Sequence, residues 1–425
     1  MSQTASASVL AFLRHDGEIL LVRGGDTDPT GSGRWGTVSI PIGASSSVPS
    51  TANVRKRLAR EGHVFDATLV RVGEFDSGSS DRDGIVYPAL FDCASREIEL
   101  PTTTVEREWV APTAIHRRST VDGLWTAYDR VRPTAATVRD DAEHGSEYVS
   151  IRAMEVLRDT AGAVRAGGSD AESGWETAVR TAEELLRARP SMAAPRNRVN
   201  RIVSRSAADR TATAIERVAI EEIAAAVDAG RRAASEAVPL VSGATVLTLS
   251  RSGTLLPALV EGPERVVIAE SRPGREGVGV AERVAEAGAE TALCADSAVA
   301  YVLGTEPIDA VLLGADTVLR DGTLVNKVGS RGVAVAAAAE GIPVYAVTAT
   351  DKISPAASPA LETGPDSAVY DGEGPIDVLN PRFDVTPPQY VSGFLTDEGR
   401  LDAETVSEIA SAHDELRSWR RDRDA

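Results

Sequence analysis

The chain has 425 residues, 42% hydrophobic and 25% charged, a usage that excludes a largely disordered chain and gives length enough for two domains with their own cores. Its 45 basic and 63 acidic side chains leave a net charge of −18, which argues against a nucleic-acid or anionic-membrane partner. No apolar run reaches bilayer-spanning length, the opening MSQTASASVL lacks the basic start and apolar core of a secretory leader, and Cys93 and Cys294 are the only cysteines, so a reducing, cytoplasmic setting is expected.

The first predicted element is a β-hairpin, in which SVLAFLR alternates, Asp16-Gly17 supplies the turn and EILLVRG returns. Strand-like GRWGTVSI, TLVRVGEF and GIVYPALFDC follow, with one helix-like stretch, TANVRKRLAREG, among them. These predict a mixed α+β domain over residues 1–140. The hairpin, RWGTVSIPIG, the single helix and EREWVAPTAI together resemble a Nudix domain. That resemblance implies a helix reading Arg-Glu-x-x-Glu-Glu, whose carboxylates share a face and chelate magnesium. Here the helix reads Lys56-Arg57-Leu58-Ala59-Arg60-Glu61-Gly62, with arginine in two of the three acidic positions. The implied domain is degenerate: it binds or packs rather than hydrolyses, or presents a plain basic helix face, and no metal is expected.

Residues 147–241 turn to Ala, Arg and Glu with helical spacing, as in Ile215, Val218, Ala219 and Ile223, and predict a helical segment broken at Gly167 to Asp170 and at Arg189-Pro190. Residues 242–425 carry five apolar runs of strand length: 244–250, 265–271, 290–296, 310–316 and 344–350. They read as strands buried on both faces, and helix-like GVAERVAEAG and SAVAYVLG stand between them. The predicted fold class is therefore α/β, a Rossmann-like doubly wound parallel sheet following the α+β domain and the helical segment.

In such a sheet, ligands sit outside the carboxyl ends of the strands. The first strand ends in Ser250, Arg251, Ser252, Gly253 and Thr254, whose backbone N–H groups suit phosphate. The others end in Glu270-Ser271-Arg272-Pro273, Asp296-Ser297, Gly314-Ala315-Asp316 and Asp351-Lys352. Taken singly, each Ser or Asp reads equally well as a cap. Taken together, cations, hydroxyls and a carboxylate predict a site for a phosphorylated sugar. Lysine occurs only at Lys56, Lys327 and Lys352, so two of the three stand beside these motifs. The same lysine depletion, with the acid excess, points to adaptation to high salt.

TLSRSGTL, AESRPGREG, GADTVLRDGTLVNKVGS and NPRFDVTPP resemble, in order and spacing, motifs of the translation initiation factor 2B α/β/δ subunit family, which includes ribose-1,5-bisphosphate isomerase and methylthioribose-1-phosphate isomerase. IRAMEVLRD and RARPSM extend the resemblance upstream, so that it covers residue 147 to the C-terminus. It implies a homo-oligomeric aldose–ketose isomerase scaffold for a phosphorylated pentose, with no cofactor or metal. It also implies that Asp316 is half of an acid/base pair, that Arg272, Asn326 and Lys327 bind substrate, and that the partner thiol's position holds Ser250. A hydroxyl is a much poorer acid and base than a thiol. The expectation is thus an isomerase in which Asp316 moves the protons, with a non-catalytic regulatory subunit as the alternative and a Nudix hydrolase with an accessory domain as the third. Cys294 is expected to pack in the core rather than to replace the thiol.

Overall fold

The computed structural model describes residues 8–24, 33–41, 67–73, 75–76, 85–98, 100 and 104–420. Asp16 and Gly17 both take positive φ, 49° and 82°, as a type I′ turn between two antiparallel strands requires. They join β1 (Ser8–His15) to β2 (Glu18–Gly24), with His15 opposite Glu18. Then come β3 (Trp35–Gly36), β4 (Val38–Pro41), β5 (Ala67–Val72), β6 (Phe75–Asp76), β7 (Ile85–Cys93) and β8 (Thr104–Val110). The sheet runs β3-β2-β1-β7-β5, with β4 on β1, β6 on β7 and β8 on β2, and it is mixed because β1 and β7 are parallel. The helix expected around Lys56 lies outside the described residues.

The two-residue period of a strand splits this sheet's apolar residues between two cores. Val9, Ala11 and Leu13 pack with Tyr87, Ala89 and Phe91; Phe12 packs with Ile19, Leu21, Leu90 and with Tyr128 of α1 (Leu124–Asp129).

The chain divides into two units, the first Met1–Thr134, Glu155–Ala178 and Thr211–Ile223, the second Ala135–Met154, Val179–Arg210 and Ala224–Ala425. After the short α2 (Ala135–Asp140) come α3 (Ser146–Ala166), α4 (Ala171–Ala188), α5 (Ala193–Ser206) and α6 (Ala212–Val241) in the segment expected to be helical, and α3, α4 and α6 each contribute residues to both units. Ile215, Val218, Ala219 and Ile223 are buried, as their spacing predicts. Within the first unit a charged cluster is also largely buried, with Asp92 at its partly exposed edge. Arg14 meets Asp92 at 2.6 Å and Glu155 at 3.0 Å, while Asp159 accepts from Arg158 at 2.8 Å and from the Tyr128 hydroxyl at 3.0 Å. Charges this deep are tolerated because they are paired and hydrogen-bonded.

The second unit's main sheet begins with β9 (Thr245–Leu249), followed by α7 (Leu256–Glu261), β10 (Arg265–Ala269), α8 (Glu276–Glu286), β11 (Glu290–Cys294), α9 (Val299–Thr305) and β12 (Ala310–Leu313). A small four-stranded sheet holds β13 (Thr317–Leu319), β14 (Leu324–Lys327), β16 (Ile353–Ser354) and β17 (Phe383–Thr386). After α10 (Ser330–Ala339) the main sheet resumes with β15 (Val344–Val347), β18 (Gly393–Thr396) and β19 (Gly399–Leu401), and α11 (Ala403–Glu415) closes the unit.

The main sheet's order is β11-β10-β9-β12-β15-β18-β19, parallel except for the β18–β19 pair. Alternate residues face opposite layers. Leu247, Val267 and Val311 pack on α9, α10 and α11 residues, whereas Val246, Val266 and Leu312 pack on those of α6, α7 and α8. The chain winds outward from β9 to β11, then returns to place β12 on the other side of β9. Its topological switch point is therefore the β9–β12 boundary. One expectation needs correcting: β11 is an edge strand, with Glu290 and Leu293 exposed, so it is not buried on both faces as its apolar sequence suggested. No described helix is long and apolar enough to cross a membrane.

Candidate functional site at the strand ends

The loops after β9 and β12 flank the switch point. Ser250 leaves β9 at φ 63°, a left-handed conformation that a non-glycine residue takes only when its surroundings impose it. Ser252 then caps the following turn: its hydroxyl accepts from the Leu255 N–H at 3.2 Å and its carbonyl from Leu256 at 3.0 Å. Across the switch point, a Cβ on Gly314 would lie 2.8 Å from the Ser252 side chain and 3.8 Å from Asn326 Oδ1. Only glycine allows these three to converge. Asn326 is oriented by the Ser330 hydroxyl, to which its amide donates at 2.9 Å.

Asp316 follows β12, its backbone N–H tied to the Val325 carbonyl at 3.0 Å. Its side chain is nearly buried, and Oδ1 accepts from the backbone N–H of Ser146, the first residue of α3, at 3.3 Å. Burial pushes its carboxyl above the usual Asp range, more than Lys352, the Ser146 N–H and Arg189 pull it down. Lys352 is buried too, and desolvation pulls its ammonium below the usual Lys range against the attraction of Glu147 and Asp316. Its Nζ donates to the Thr254 hydroxyl at 3.1 Å and stands 4.0 Å from Glu147.

Beneath Lys352 lies an ion network. Arg198 is fully buried, giving Nε to Asp351 at 2.8 Å and Nη1 to Ser150 at 2.6 Å; Arg201 takes the other Asp351 oxygen at 2.5 Å. Despite burial, the two guanidiniums hold the Asp351 carboxyl well below its usual range. The amide of Asn197 donates to the Asp351 and Ile353 carbonyls at 2.9 and 2.8 Å, which fixes the backbone that presents Lys352. Arg189 pairs with Glu362 at 3.2 Å, and Ser191 also bonds Glu362.

Of the residues singled out by sequence, Thr254, Asp316 and Lys352 form one buried group, and Ser252 meets Asn326 across Gly314. Arg251 points its guanidinium at the Glu143 carbonyl and is exposed. Lys327 reaches α8, where its Nζ lies 2.5 Å from Glu276. Arg272 is largely exposed and pairs with Glu270 at 3.3 Å, while its backbone N–H and that of Ser271 both go to Asp296, at 2.6 and 2.8 Å. Gly253 abuts the Glu147 side chain, where an added Cβ would come within 3.8 Å. Cys294 is half-buried, its thiol pushed up by burial first and then by Asp296 and Glu270.

Sequence reading missed Ser146, Glu147, Arg198 and Glu362. Ser146-Glu147 did carry a signal, a small polar residue and an acid opening a long helix. Glu362 carried none, lying in the irregular stretch between β16 and β17.

The profile of the Initiation factor 2 subunit family matches residues 142–403. Ribose 1,5-bisphosphate isomerase of Haloferax volcanii is 29% identical over 301 residues, covering 66% of this chain and 91% of the relative. Methylthioribose-1-phosphate isomerase of Gemmatimonas aurantiaca is 31% identical over 309 residues, covering 64% and 88%. Among solved structures, a translation initiation factor eIF-2B of Pyrococcus horikoshii superposes with TM-score 0.55 at 24% identity, over 63% of this chain and 94% of its own. The 5-methylthioribose 1-phosphate isomerase of the same organism gives 0.51 at 21%, over 75% and 91%. At these identities the structural likeness speaks to the fold.

Proposed function

The chain belongs to the Initiation factor 2 subunit family, and on that premise we propose that it binds a phosphorylated pentose and interconverts its aldose and ketose forms. The observation that carries this reading is the group at the switch point. A buried carboxyl, Asp316, shares its surroundings with Lys352 and the Thr254 hydroxyl, which suits an acid/base group beside an anion site. The names of the two curated relatives support the substrate class, ribose 1,5-bisphosphate or methylthioribose 1-phosphate.

In this reading Ser250 to Thr254 with Lys352 hold phosphate, Arg272 helps to bind the substrate, and Asn326 and Lys327 fix sugar oxygens. Asp316 carries the proton between neighbouring carbons, because the Ser250 hydroxyl is a poor acid and base. Lys327 stabilises negative charge on the enediol oxygen as it develops. The protein works in high salt as a homo-oligomer, and its N-terminal module is Nudix-like without hydrolytic activity.

Incubating the protein in molar KCl with each sugar phosphate, and following the ketose by NMR, tests the proposal. Ketose formation supports it. Stabilisation by ligand without turnover selects instead the regulatory reading, which Ser250 favours.

A further inference from the structure

Lys352 is buried among four elements, and each turns one group toward it. The loop after β9 presents the Thr254 hydroxyl at 3.1 Å, α3 presents the Glu147 carboxylate at 4.0 Å, the end of β12 presents Asp316, and α5 presents a second cation, Arg198. Burial acts most strongly on the ammonium and pulls it down, as Arg198 also does, while Glu147 and then Asp316 oppose them. Asp316 is the weaker support of the two, because its own burial favours the neutral acid.

Arg198 leans on the same carboxylate. Its Nη2 stands 3.5 Å from Glu147 Oε1. Burial would lower its guanidinium, but Glu147 first and Asp351 next hold it above the usual Arg range. One carboxylate therefore serves two buried cations. It closes on neither: Arg198 and Asp351 meet at 2.8 Å, the distance of a charged hydrogen bond, whereas Glu147 Oε2 is buried with no hydrogen-bond partner among the described residues. Its influence on Lys352 is thus one of charge. Two glycines leave it room, since a Cβ on Gly230 of α6 would lie 3.2 Å from Oε1 and one on Gly253 would lie 3.8 Å from the Glu147 Cβ.

Resting on the sugar-phosphate reading, we propose that Glu147 is a positioning residue for the reaction: it is the counter-ion that keeps Lys352 an ammonium, so that Asp316, not Lys352, changes protonation as the sugar reacts. Taking an ammonium out of water favours the neutral amine, and a neutral amine has no charge with which to hold phosphate. With Asp316 alternating between acid and carboxylate, a second carboxylate of constant charge is what keeps the neighbouring lysine fixed.

The chain has three lysines, Lys56, Lys327 and Lys352, which makes the test direct. With lysine labelled by carbon-13 at Cε, the full chain gives three signals whose shifts follow protonation; Lys56→Arg and Lys327→Arg assign two, and the third is Lys352. At one fixed KCl concentration, Lys352 in Glu147→Gln is expected to lose its proton at a lower pH than in wild type. Glu147→Asp keeps the charge and should stay nearer to wild type. Glu236→Gln removes an exposed carboxylate of α6 and should change nothing. In turnover of ribose 1,5-bisphosphate, KM of Glu147→Gln should equal or fall below that of wild type in acid, where Lys352 is charged in both and a carboxylate that repels phosphate is gone. Once the variant's Lys352 has discharged, its KM should stand about tenfold above wild type, what loss of one hydrogen bond to a charged group removes. An unmoved Lys352 signal, an equal shift in Glu236→Gln, a Glu147→Asp titration no nearer to wild type, or a KM raised alike at every pH, as a merely structural role requires, would each overturn the assignment. The lysine titration needs no substrate, so absence of turnover by wild type would overturn the sugar-phosphate reading while the spectrum still decides the role of Glu147.

Discussion

The backbone N–H of Ser146 donates to Oδ1 of Asp316 at 3.3 Å, joining the start of α3 to the end of β12 across 170 residues of sequence. Three positive influences, this N–H, Lys352 and Arg189, favour the carboxylate, yet burial outweighs them and the carboxyl stays raised. A carboxyl with a raised folded-state pKa adds stability that is complete below its unfolded value and lost as pH rises through the folded value. Asp316→Asn should therefore melt at the same temperature as wild type or higher near about pH 7, with the difference shrinking toward about pH 4. The same variant should lose isomerisation. Thermal melts across that range, beside a turnover assay, check both halves.

The Asp351 carboxyl has the opposite sign. Arg198 and Arg201 depress it, so its stabilisation is present above the unfolded value, about 3.9, and is lost as pH falls through the lower folded value. Replacing Arg198 by Met leaves a buried carboxylate with one partner, Arg201, and should cost about 3–5 kcal/mol. Urea unfolding near neutral pH measures it. A loss below about 1 kcal/mol would mean that the network contributes little.

Much of this arrangement was legible in the chain. The five apolar runs form adjacent parallel strands because apolar segments divided by amphipathic helices have few other ways to bury both faces. The strand-end rule then brought Thr254, Asp316 and Lys352 together without any coordinates. What stayed hidden depends on long-range pairing. The register of β13 and β14, which carries Asn326 and Lys327, is set by β16 and β17, and all four strands are too short to announce themselves by periodicity. The Lys327–Glu276 pair joins residues 51 apart in sequence and carries no local pattern at all. Likewise, the exposed face of β11 follows from its place at the sheet edge, not from its residues.

In the proposed reaction a thiol at position 250 would be a better acid and base than the Ser250 hydroxyl. Ser250→Ala should weaken sugar-phosphate binding by no more than about tenfold, since bonds between neutral groups contribute about 0.5–1.5 kcal/mol. Ser250→Cys should raise kcat by about tenfold or more, toward the low end of what a positioned proton-transfer group supplies. Steady-state kinetics on both variants checks this. A decrease in kcat on introducing the thiol would argue against an acid/base role at that position.

In the first unit, the Tyr128 hydroxyl donates to Asp159 at 3.0 Å in a fully buried setting. Tyr128→Phe removes one donor from a carboxylate that retains Arg158, so a loss of about 1–3 kcal/mol is expected. Denaturant unfolding reports it. No change would mean that Arg158 alone satisfies Asp159.

The net charge of −18 predicts salt dependence, because mutual repulsion of surface carboxylates is relieved as the screening length falls from about 10 Å at 0.1 M salt to about 3 Å at 1 M. The melting temperature should rise steadily with KCl over that interval. A flat response would remove the high-salt reading.

Ligand binding and proton transfer can be separated at one residue, Asp316. Wild type and Asp316→Asn are each mixed with ribose 1-phosphate in KCl, and ligand-induced stabilisation and ketose phosphate are measured on the same samples. If Asp316 carries the proton, both proteins are stabilised and only wild type yields the ketose. Ketose formed by Asp316→Asn at the wild-type rate would contradict it.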